Sequence, residues 1–349
     1  MTYMTLGIDT YSIEGLEALL TEWKQPRFRA AQLFEWLYGR GVASYDEMTN
    51  LPAALREKLA REAPLHFPAI EDKRVSADGT RKYLFRLADD NLVEAVGIPT
   101  FDAADETPSR LSVCFSTQVG CAMACSFCAT GTEGFTRNLS PGEMAWQVRA
   151  VADDFNTRAS SAVAMGQGEP FLNYDNVLAA LRILNHPQGL GIGARHITVS
   201  TCGITDGIVR LGSEPEQFVL AVSLHSAVQE TRDALMPRCA VTPLPQLKEA
   251  LLAYQEASGR RISFEYLLID GVNDGKDDFA ALVDFCRGLS AHVNVLPYNP
   301  VEGAPGRAAS AAQQAKWVSR LQAAGIEASV RTARGSDISG ACGQLKNSR

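Results

Sequence analysis

The chain has 349 residues, eight of them cysteine, with 46% hydrophobic and 21% charged residues and a formal net charge of −7. That length suits one large domain with a small companion, and the composition is that of a soluble globular protein. The acidic balance argues against wholesale nucleic-acid binding while leaving room for a local basic patch, and no apolar run approaches the roughly 18 residues of a membrane helix.

The N-terminal stretch MTYMTLGIDT has neither a basic n-region nor an apolar h-region, so no signal peptide is expected and the chain is read as cytoplasmic, with no membrane partner. In that compartment cysteines point to metal or redox chemistry more than to structural disulfides. IEGLEALLTEW (13–23), RFRAAQLFEWLYG (27–39) and PAALREKLAREA (52–63) space their apolar residues helically and show no strand pattern. Residues 1–66 are therefore predicted to be a small helical domain. Residues 68–74, 80–87 and 91–98 read as short strands, which makes 67–107 a β extension.

From about residue 108 strand-like runs alternate with helical ones. The runs are 111–116, 161–166, 196–201, 218–224, 262–269 and 293–298. Helical patterns lie at 143–155, 174–184, 245–257 and 279–289. Such alternation predicts an α/β fold with a parallel sheet. Six β/α units are too few for a closed eight-fold barrel, so a partial (βα)6 barrel is expected, with ASVRT (328–332) as a candidate last strand. No internal repeat is visible. Polar and glycine-rich segments follow the strands, as in GQGEP (166–170), STCG (200–203), SLHSA (223–227) and YNP (298–300). In parallel α/β architectures that end of the strands is where ligands bind.

The segment VGCAMACSFCATG places Cys121, Cys125 and Cys128 in a C-x3-C-x2-C spacing. Zinc wants a fourth Cys or His, and SFCATGTEGFTRNL offers none. Three thiolates can instead hold three corners of a 4Fe–4S cluster and leave one iron open. Cys202, Cys239 and Cys286 have no comparable sequence neighbours and read as packing residues.

C-x3-C-x2-C after the first strand of a β/α barrel resembles the radical S-adenosylmethionine (SAM) superfamily. There the open iron chelates SAM, which an electron from the cluster cleaves to methionine and a 5′-deoxyadenosyl radical. The motifs CFSTQVGCAMACSFCATGTEGFTRNLS, AMGQGEPFLNYDNVL, ITVSTCGI, AVSLHSA, LMPRC, FEYLLIDGVND, LPYNP and GSDISGACGQL together resemble the RlmN/Cfr family of RNA methyltransferases, from the helical N-terminal domain almost to the C-terminus.

That resemblance implies one 4Fe–4S cluster, two SAM molecules per turnover and a second pair of cysteines. Cys342 matches the cysteine that one SAM methylates and from which the radical made from the other takes hydrogen. The carbon radical then adds to adenine, a form of covalent catalysis. Cys114 matches the cysteine that attacks the Cys342 sulfur and releases the product as a disulfide forms. Glu94 matches the proposed proton acceptor. Gly168, Glu169, Ser200, Ser223, Leu224, His225 and Asn299 match SAM-contact positions, Glu169 with its carboxylate toward the SAM ammonium. Gln167 departs from the family, which commonly has methionine there.

The implied substrate is an adenosine of 23S rRNA, and in some bacteria also a tRNA adenosine beside the anticodon. The implied electron source is a one-electron reductant such as flavodoxin or ferredoxin, and the enzyme is expected to be a monomer. Lys24, Arg27, Arg29 and Arg40, interleaved with Phe28, Phe34, Trp36 and Tyr38, offer a candidate RNA face. The target base must leave its stack to reach a buried cluster. Methylation at adenine carbon 2 is the reading adopted. Carbon-8 methylation, another radical SAM chemistry such as glycyl-radical activation, and a non-enzymatic zinc-bound RNA-binding protein are its competitors.

Overall fold

The structure, a computed structural model, describes residues 7–8, 11–102, 107–301 and 306–347. Part of the N-terminal stretch read for a signal peptide, and residues 103–106 of the expected β extension, lie outside these.

The first segment is helical as expected. α1 (Ile13–Glu22) is capped by the Ser12 side chain, which accepts from the Gly15 N–H. α2 (Phe28–Phe34) runs into a π-helical turn, Glu35–Arg40, that ends at left-handed Gly41. α3 (Ala53–Glu62) buries Leu55 and Leu59, four residues apart on one face. The core of these helices is continuous with that of the barrel: Leu33, Phe34, Leu37 and Tyr38 belong to the same buried cluster as the sheet residues. Arg149 fixes the junction by donating to the carbonyls of Gly39 at 2.7 Å and Arg40 at 3.0 Å.

β1 (Ala69–Val75), β2 (Arg81–Arg86) and β3 (Leu92–Thr100) form an antiparallel meander. β3 pairs antiparallel with β4 (Arg110–Cys114), which joins the meander to the parallel sheet. After β4 come the short hairpin β5 (Gln118–Gly120) and β6 (Phe135–Asn138), with α4 (Ala129–Glu133) between them, and then α5 (Pro141–Asp154). The parallel strands that follow are β7 (Ser161–Ala164), β8 (Ile197–Thr201), β9 (Val219–Ser223), β10 (Ile262–Leu268), β11 (Ala291–Pro297) and β12 (Glu327–Val330). They are crossed over by α6 (Tyr174–Asn185), α7 (Thr205–Gly212), α8 (Gln229–Leu235), α9 (Leu244–Ser258), α10 (Lys276–Cys286) and α11 (Ala311–Ala323).

The ten-stranded sheet runs β1-β2-β3-β4-β7-β8-β9-β10-β11-β12, and β1 and β12 do not meet. It is thus an open barrel wall, as expected, with the candidate strand at 328–332 realised as β12. The expected helices correspond to α5, α6, α9 and α10. The structure adds the β5–β6 hairpin, α7, α8 and α11. Most expected strands extend past the observed ends on the same side, by Phe115–Ser116, Met165–Gly166 and Leu224, of which Phe115 and Leu224 still donate to the Val163 and Glu265 carbonyls. Those residues turn toward the carboxyl ends of the strands, where the site lies. Among the described residues no helix is long and apolar enough to cross a membrane.

Candidate active site

The three clustered cysteines sit on the loop between β5 and α4. Gly120 enters it at φ +72°, and a Cβ there would lie 1.9 Å from the Gly134 carbonyl oxygen, which accepts the Cys121 N–H at 2.7 Å. The Cys128 N–H donates to the Cys125 carbonyl at 3.1 Å. Gly131 lies so close beneath the loop that a Cβ would meet the Cys125 backbone N and O at 3.0 Å. Cys121, Cys125 and Cys128 are half-buried and line one cavity with Gly168, Glu169, Ser200, Ser223, His225, Asn299 and Cys342. Residues from the ends of β5, β7, β8, β9, β10 and β11 thus meet at the carboxyl side of the sheet.

Burial pushes the Cys121 thiol up to about 12 and the Cys125 thiol well above its usual range, and neighbouring thiols add to both. The three sulfurs share one cavity wall, and three thiol donors so placed suit the three protein-held irons of a cluster. Metal binding also offsets the cost of deprotonating these buried thiols.

His225 is buried at φ +55°. Its Nδ1 accepts the Leu267 N–H at 3.1 Å, which assigns the proton to Nε2. Burial first, and Arg232 second, lower its pKa to about 3, so the ring is neutral at pH 7. It packs edge-on against Phe127, centroids 4.7 Å apart. Asn273, fully buried, locks this turn: its Nδ2 donates to the carbonyls of His225 (2.6 Å) and Leu267 (2.7 Å), and its Oδ1 accepts the Ile269 N–H (2.8 Å).

Two expected SAM contacts also have roles within the fold. Leu224 lines no wall of the cavity: its side chain is in the core, its N–H donates to the Glu265 carbonyl and its carbonyl accepts from Ser226. Glu169 lines the cavity, but its carboxylate already caps backbone, Oε1 accepting from Phe171 N–H at 3.0 Å and Oε2 from Cys202 N–H at 2.7 Å. Burial raises its pKa and these bonds oppose that. The carboxylate therefore shapes the loop first.

Cys342 reaches the same cavity from the C-terminal tail. Asn299 Nδ2 donates to its carbonyl at 3.0 Å, so this expected SAM contact also positions the tail. The Ala129 N–H donates to the Gly343 carbonyl at 2.7 Å and the Thr130 hydroxyl to the Leu345 carbonyl at 2.8 Å, which ties the tail to the cysteine loop. At the other end Asp337 accepts from the Ser76 hydroxyl at 2.6 Å, and Asp78 accepts from Gly335 N–H at 3.2 Å. The β1–β2 turn thereby anchors the tail.

Cys114, the last residue of β4, and Cys342 line a second cavity that adjoins the first and shares Cys128 and Met165 with it. Burial pushes the Cys114 thiol up to about 12, with Cys342 adding and Arg331 opposing. Cys342 keeps an exposed surface, yet the protein packed around it raises its thiol, again against Arg331. Glu94 lines neither cavity. It lies on β3 two residues before Val96, which pairs with Cys114 and lines the second cavity, and its buried carboxylate binds Lys82 Nζ at 2.9 Å. Burial raises its pKa, while Lys82 and the Lys346 backbone pull it down. Gln167, the departure from the family, is fully buried and bridges this region. Its Oε1 accepts the Glu94 N–H (3.2 Å) and its Nε2 donates to Asn347 (3.0 Å).

Three features escaped the sequence. Cys202 and Cys239 are packing residues as expected, but they also lie side by side in a small core cluster against Cys121 and Cys125. The Cys239 sulfur raises Cys202, and Cys202, then Arg232, lowers Cys239. Glu265 and Arg331 also line the first cavity. A lone acid in the apolar run ISFEYLLI was the available signal for Glu265. On the candidate RNA face Phe34 and Tyr38 are core residues. Phe28 is 55% exposed beneath Arg29, and Trp36 is half-buried beneath Arg40.

Residues 115–286 match the family model of the radical SAM superfamily. Fold and site together therefore define a radical SAM enzyme, and membership implies a 4Fe–4S cluster and SAM. Residues 8–65 match the model of the ribosomal RNA large subunit methyltransferase N-terminal domain. The chain is 44% identical to a probable dual-specificity RNA methyltransferase RlmN of Heliobacterium modesticaldum, over 95% of this chain and 87% of that one. It is 43% identical to the equivalent protein of Salinibacter ruber, over 98% and 94%. A solved radical SAM methyltransferase from Sphaerobacter thermophilus superposes with a TM-score of 0.90 at 42% identity, covering 98% of this chain and all of that one. The chain belongs to the RlmN family of radical SAM RNA methyltransferases.

Proposed function

We propose that this enzyme methylates carbon 2 of an adenosine in 23S rRNA, and of a tRNA adenosine, through an S-methyl group carried on Cys342. The observation that carries this reading is the convergence of Cys114 and Cys342, from opposite ends of the core, on a cavity adjoining that of the three clustered cysteines.

In this reading Cys121, Cys125 and Cys128 hold three irons of the cluster. Bound there, cluster and SAM supply a one-electron cleavage that yields a 5′-deoxyadenosyl radical. The chain's own residues do the rest. Gly166 and Gly168 let this loop pack against residues 115–118: a Cβ would lie 2.7 Å from Phe115 and Ser116 at the first and from Thr117 and Gln118 at the second. Neutral His225 offers an Nε2–H donor, and Ser200, Ser223 and Asn299 offer further polar contacts to SAM. Cys342 carries the methyl group to the base, and Asn299 and Ala129 hold its loop over the cavity. Cys114 then attacks the Cys342 sulfur. Glu94, its pKa raised by burial, takes the proton lost from the adenine carbon.

Residues 1–66 act as an RNA-binding domain through Lys24, Arg27, Arg29, Arg40, Phe28 and Trp36. Residues 67–107 brace the tail, and 108–349 form the catalytic core. The enzyme works as a cytoplasmic monomer fed by a flavodoxin or ferredoxin.

Mass spectrometry of nucleosides from rRNA and tRNA incubated with reduced enzyme and methyl-labelled SAM tests the reading. Labelled 2-methyladenosine is expected. Labelled 8-methyladenosine would move the assignment to carbon 8, and a colourless protein with stoichiometric zinc would end it.

A further inference from the structure

Arg331 follows β12 directly, and its N–H donates to the Val295 carbonyl at 2.9 Å, extending the β11–β12 pairing by one rung. The backbone beneath its side chain is therefore as fixed as the sheet. Among the described residues that line the first cavity it is the only arginine or lysine, and it lines the second cavity as well. Its Nη1 lies 3.5 Å from the Met165 sulfur and 3.7 Å from Oε2 of Glu265. Glu265 is buried; its Oε1 accepts from Asn294 Nδ2 at 2.9 Å, and Oε2 has no hydrogen-bond partner. Asn294 is held in turn by the Ser329 hydroxyl at 3.3 Å. A chain of polar groups thus runs from the sheet interior to a guanidinium that lines the second cavity together with Cys114, Cys342 and Arg334.

A half-buried arginine whose carboxylate partner stands beyond hydrogen-bond distance retains donors for a second anion. We propose that Arg331, braced by Glu265, is a positioning residue that holds the sulfurs of Cys342 and Cys114 in turn as anions. This rests on the methyltransferase reading above. In the first step the Cys342 sulfur forms a bond to the methyl carbon of SAM. The sulfonium bond breaks, its electron pair stays on S-adenosylhomocysteine, and the Cys342 sulfur becomes a neutral thioether. Arg331 is then free of that charge. In the last step the Cys114 sulfur bonds to the Cys342 sulfur. The sulfur–methylene bond breaks, its pair goes to the departing carbon, and that carbon takes a proton to become the methyl group. Each step begins with a sulfur anion beside the same cation and ends with a neutral sulfur. One arginine therefore serves both, and the Glu265 carboxylate keeps it from being an uncompensated charge between steps.

The test uses the full-length holoenzyme with Arg331→Met and Arg331→Lys substitutions. The first readout is the rate at which iodoacetamide labels Cys342 and Cys114, measured by peptide mass spectrometry without SAM, because the anion is the reactive form. The second is single-turnover methylation of Cys342 at saturating labelled SAM. Arg331→Met is expected to slow both by about tenfold or more, a loss of at least one hydrogen-bonded charge contact. Arg331→Lys is expected to recover most of it, and the SAM concentration giving half-maximal rate should stay unchanged. Cluster absorbance confirms that each variant is loaded. Two results overturn the proposal: unslowed labelling and methylation in Arg331→Met, or equal damage by Lys and Met, which would mark a shape role. A wild-type chain that never acquires the methyl group overturns the methyltransferase reading itself, and is told apart because it is seen without any substitution.

Discussion

Gly120→Ala isolates what the cysteine loop demands of its backbone. The residue sits at φ +72°, where an L side chain costs about 1–2 kcal/mol. The new Cβ would also lie 1.9 Å from the Gly134 carbonyl oxygen, a backbone atom that cannot swing aside as a flexible side chain would. Relief requires moving that carbonyl, which accepts the Cys121 N–H at 2.7 Å. Forced overpacking of this kind costs about 1–3 kcal/mol. The total is about 2–5 kcal/mol, close to 2 °C of melting temperature per kcal/mol for a chain of this size. Gly259→Ala is the control: it is left-handed at φ +66° but has nothing within 4 Å of its Cβ, and it caps α9 far from the cysteines. Both variants are measured by thermal melting of the cluster-free protein and by iron and sulfide content after anaerobic reconstitution. Gly259→Ala should lose about 1 kcal/mol and load normally. Gly120→Ala should lose more and load poorly. Equal melting losses and equal iron content would refute the argument that the Gly134 contact, beyond left-handedness, fixes the loop.

Cys342→Ala is expected to abolish methyl transfer while SAM cleavage persists at some level, and Cys114→Ala to leave RNA attached to Cys342; absence of any RNA–protein adduct in the latter would count against a resolving role. Asn273→Ala removes three buried hydrogen bonds and is expected to cost about 3 kcal/mol, with loosened SAM binding by calorimetry because the His225 turn loses its lock. Unchanged affinity would show that the turn holds without it. Asp78 is raised by burial, yet bonds from Thr80 and Gly335 outweigh this and bring it to about 2. Asp337 is lowered by the Ser76 hydroxyl. Both are lower folded than unfolded, so their contribution is full above about pH 4 and is lost as the pH falls toward 2. Hydrogen-exchange protection of residues 335–345 should drop across that window in the wild type, and Asp78→Asn should show the lower protection already at pH 6.

The parallel strands were legible to within two or three residues because most are continuous apolar runs, as strands covered on both faces must be, whereas the short β5–β6 hairpin gave no such signal. The helices were less so. α11 buries only Gln314, Trp317 and Leu321, and α7 and α8 are eight and seven residues long, so their periodic signal is thin. The same limit explains the site. Cysteines at 121, 125 and 128 announce themselves by spacing, whereas Cys114 in an apolar strand resembles any core residue. What the sequence could not carry was partnership. Asn299, marked for SAM, also holds the Cys342 carbonyl, and the side chain of Leu224, marked for SAM, also packs in the core. Cys202 and Cys239 are 37 positions apart in the chain (239 minus 202) and adjacent in space.

These partnerships follow a common logic. The chemistry assigned to Cys342 needs a sulfur that visits two places in sequence, the cofactor and the base, and then yields to Cys114. A residue that must do this cannot sit on the rigid sheet, so it is placed on a tail. A free tail would sample too many positions to deliver a methyl group. The fold resolves the conflict by tying the tail at points on either side of Cys342 and leaving the cysteine between them: Asp78 and Ser76 hold residues 335–337, and Ala129 and Thr130 hold residues 343–345. Gln167, where the family commonly has methionine, adds a further tie through Asn347 and links it to the Glu94 backbone. Restoring methionine at this position should therefore leave the cysteine cavity intact and loosen the end of the tail. Gln167→Met is expected to lower exchange protection at residues 344–347 while iron content stays unchanged. Unaltered protection there would mean that the tail is held by its other ties alone.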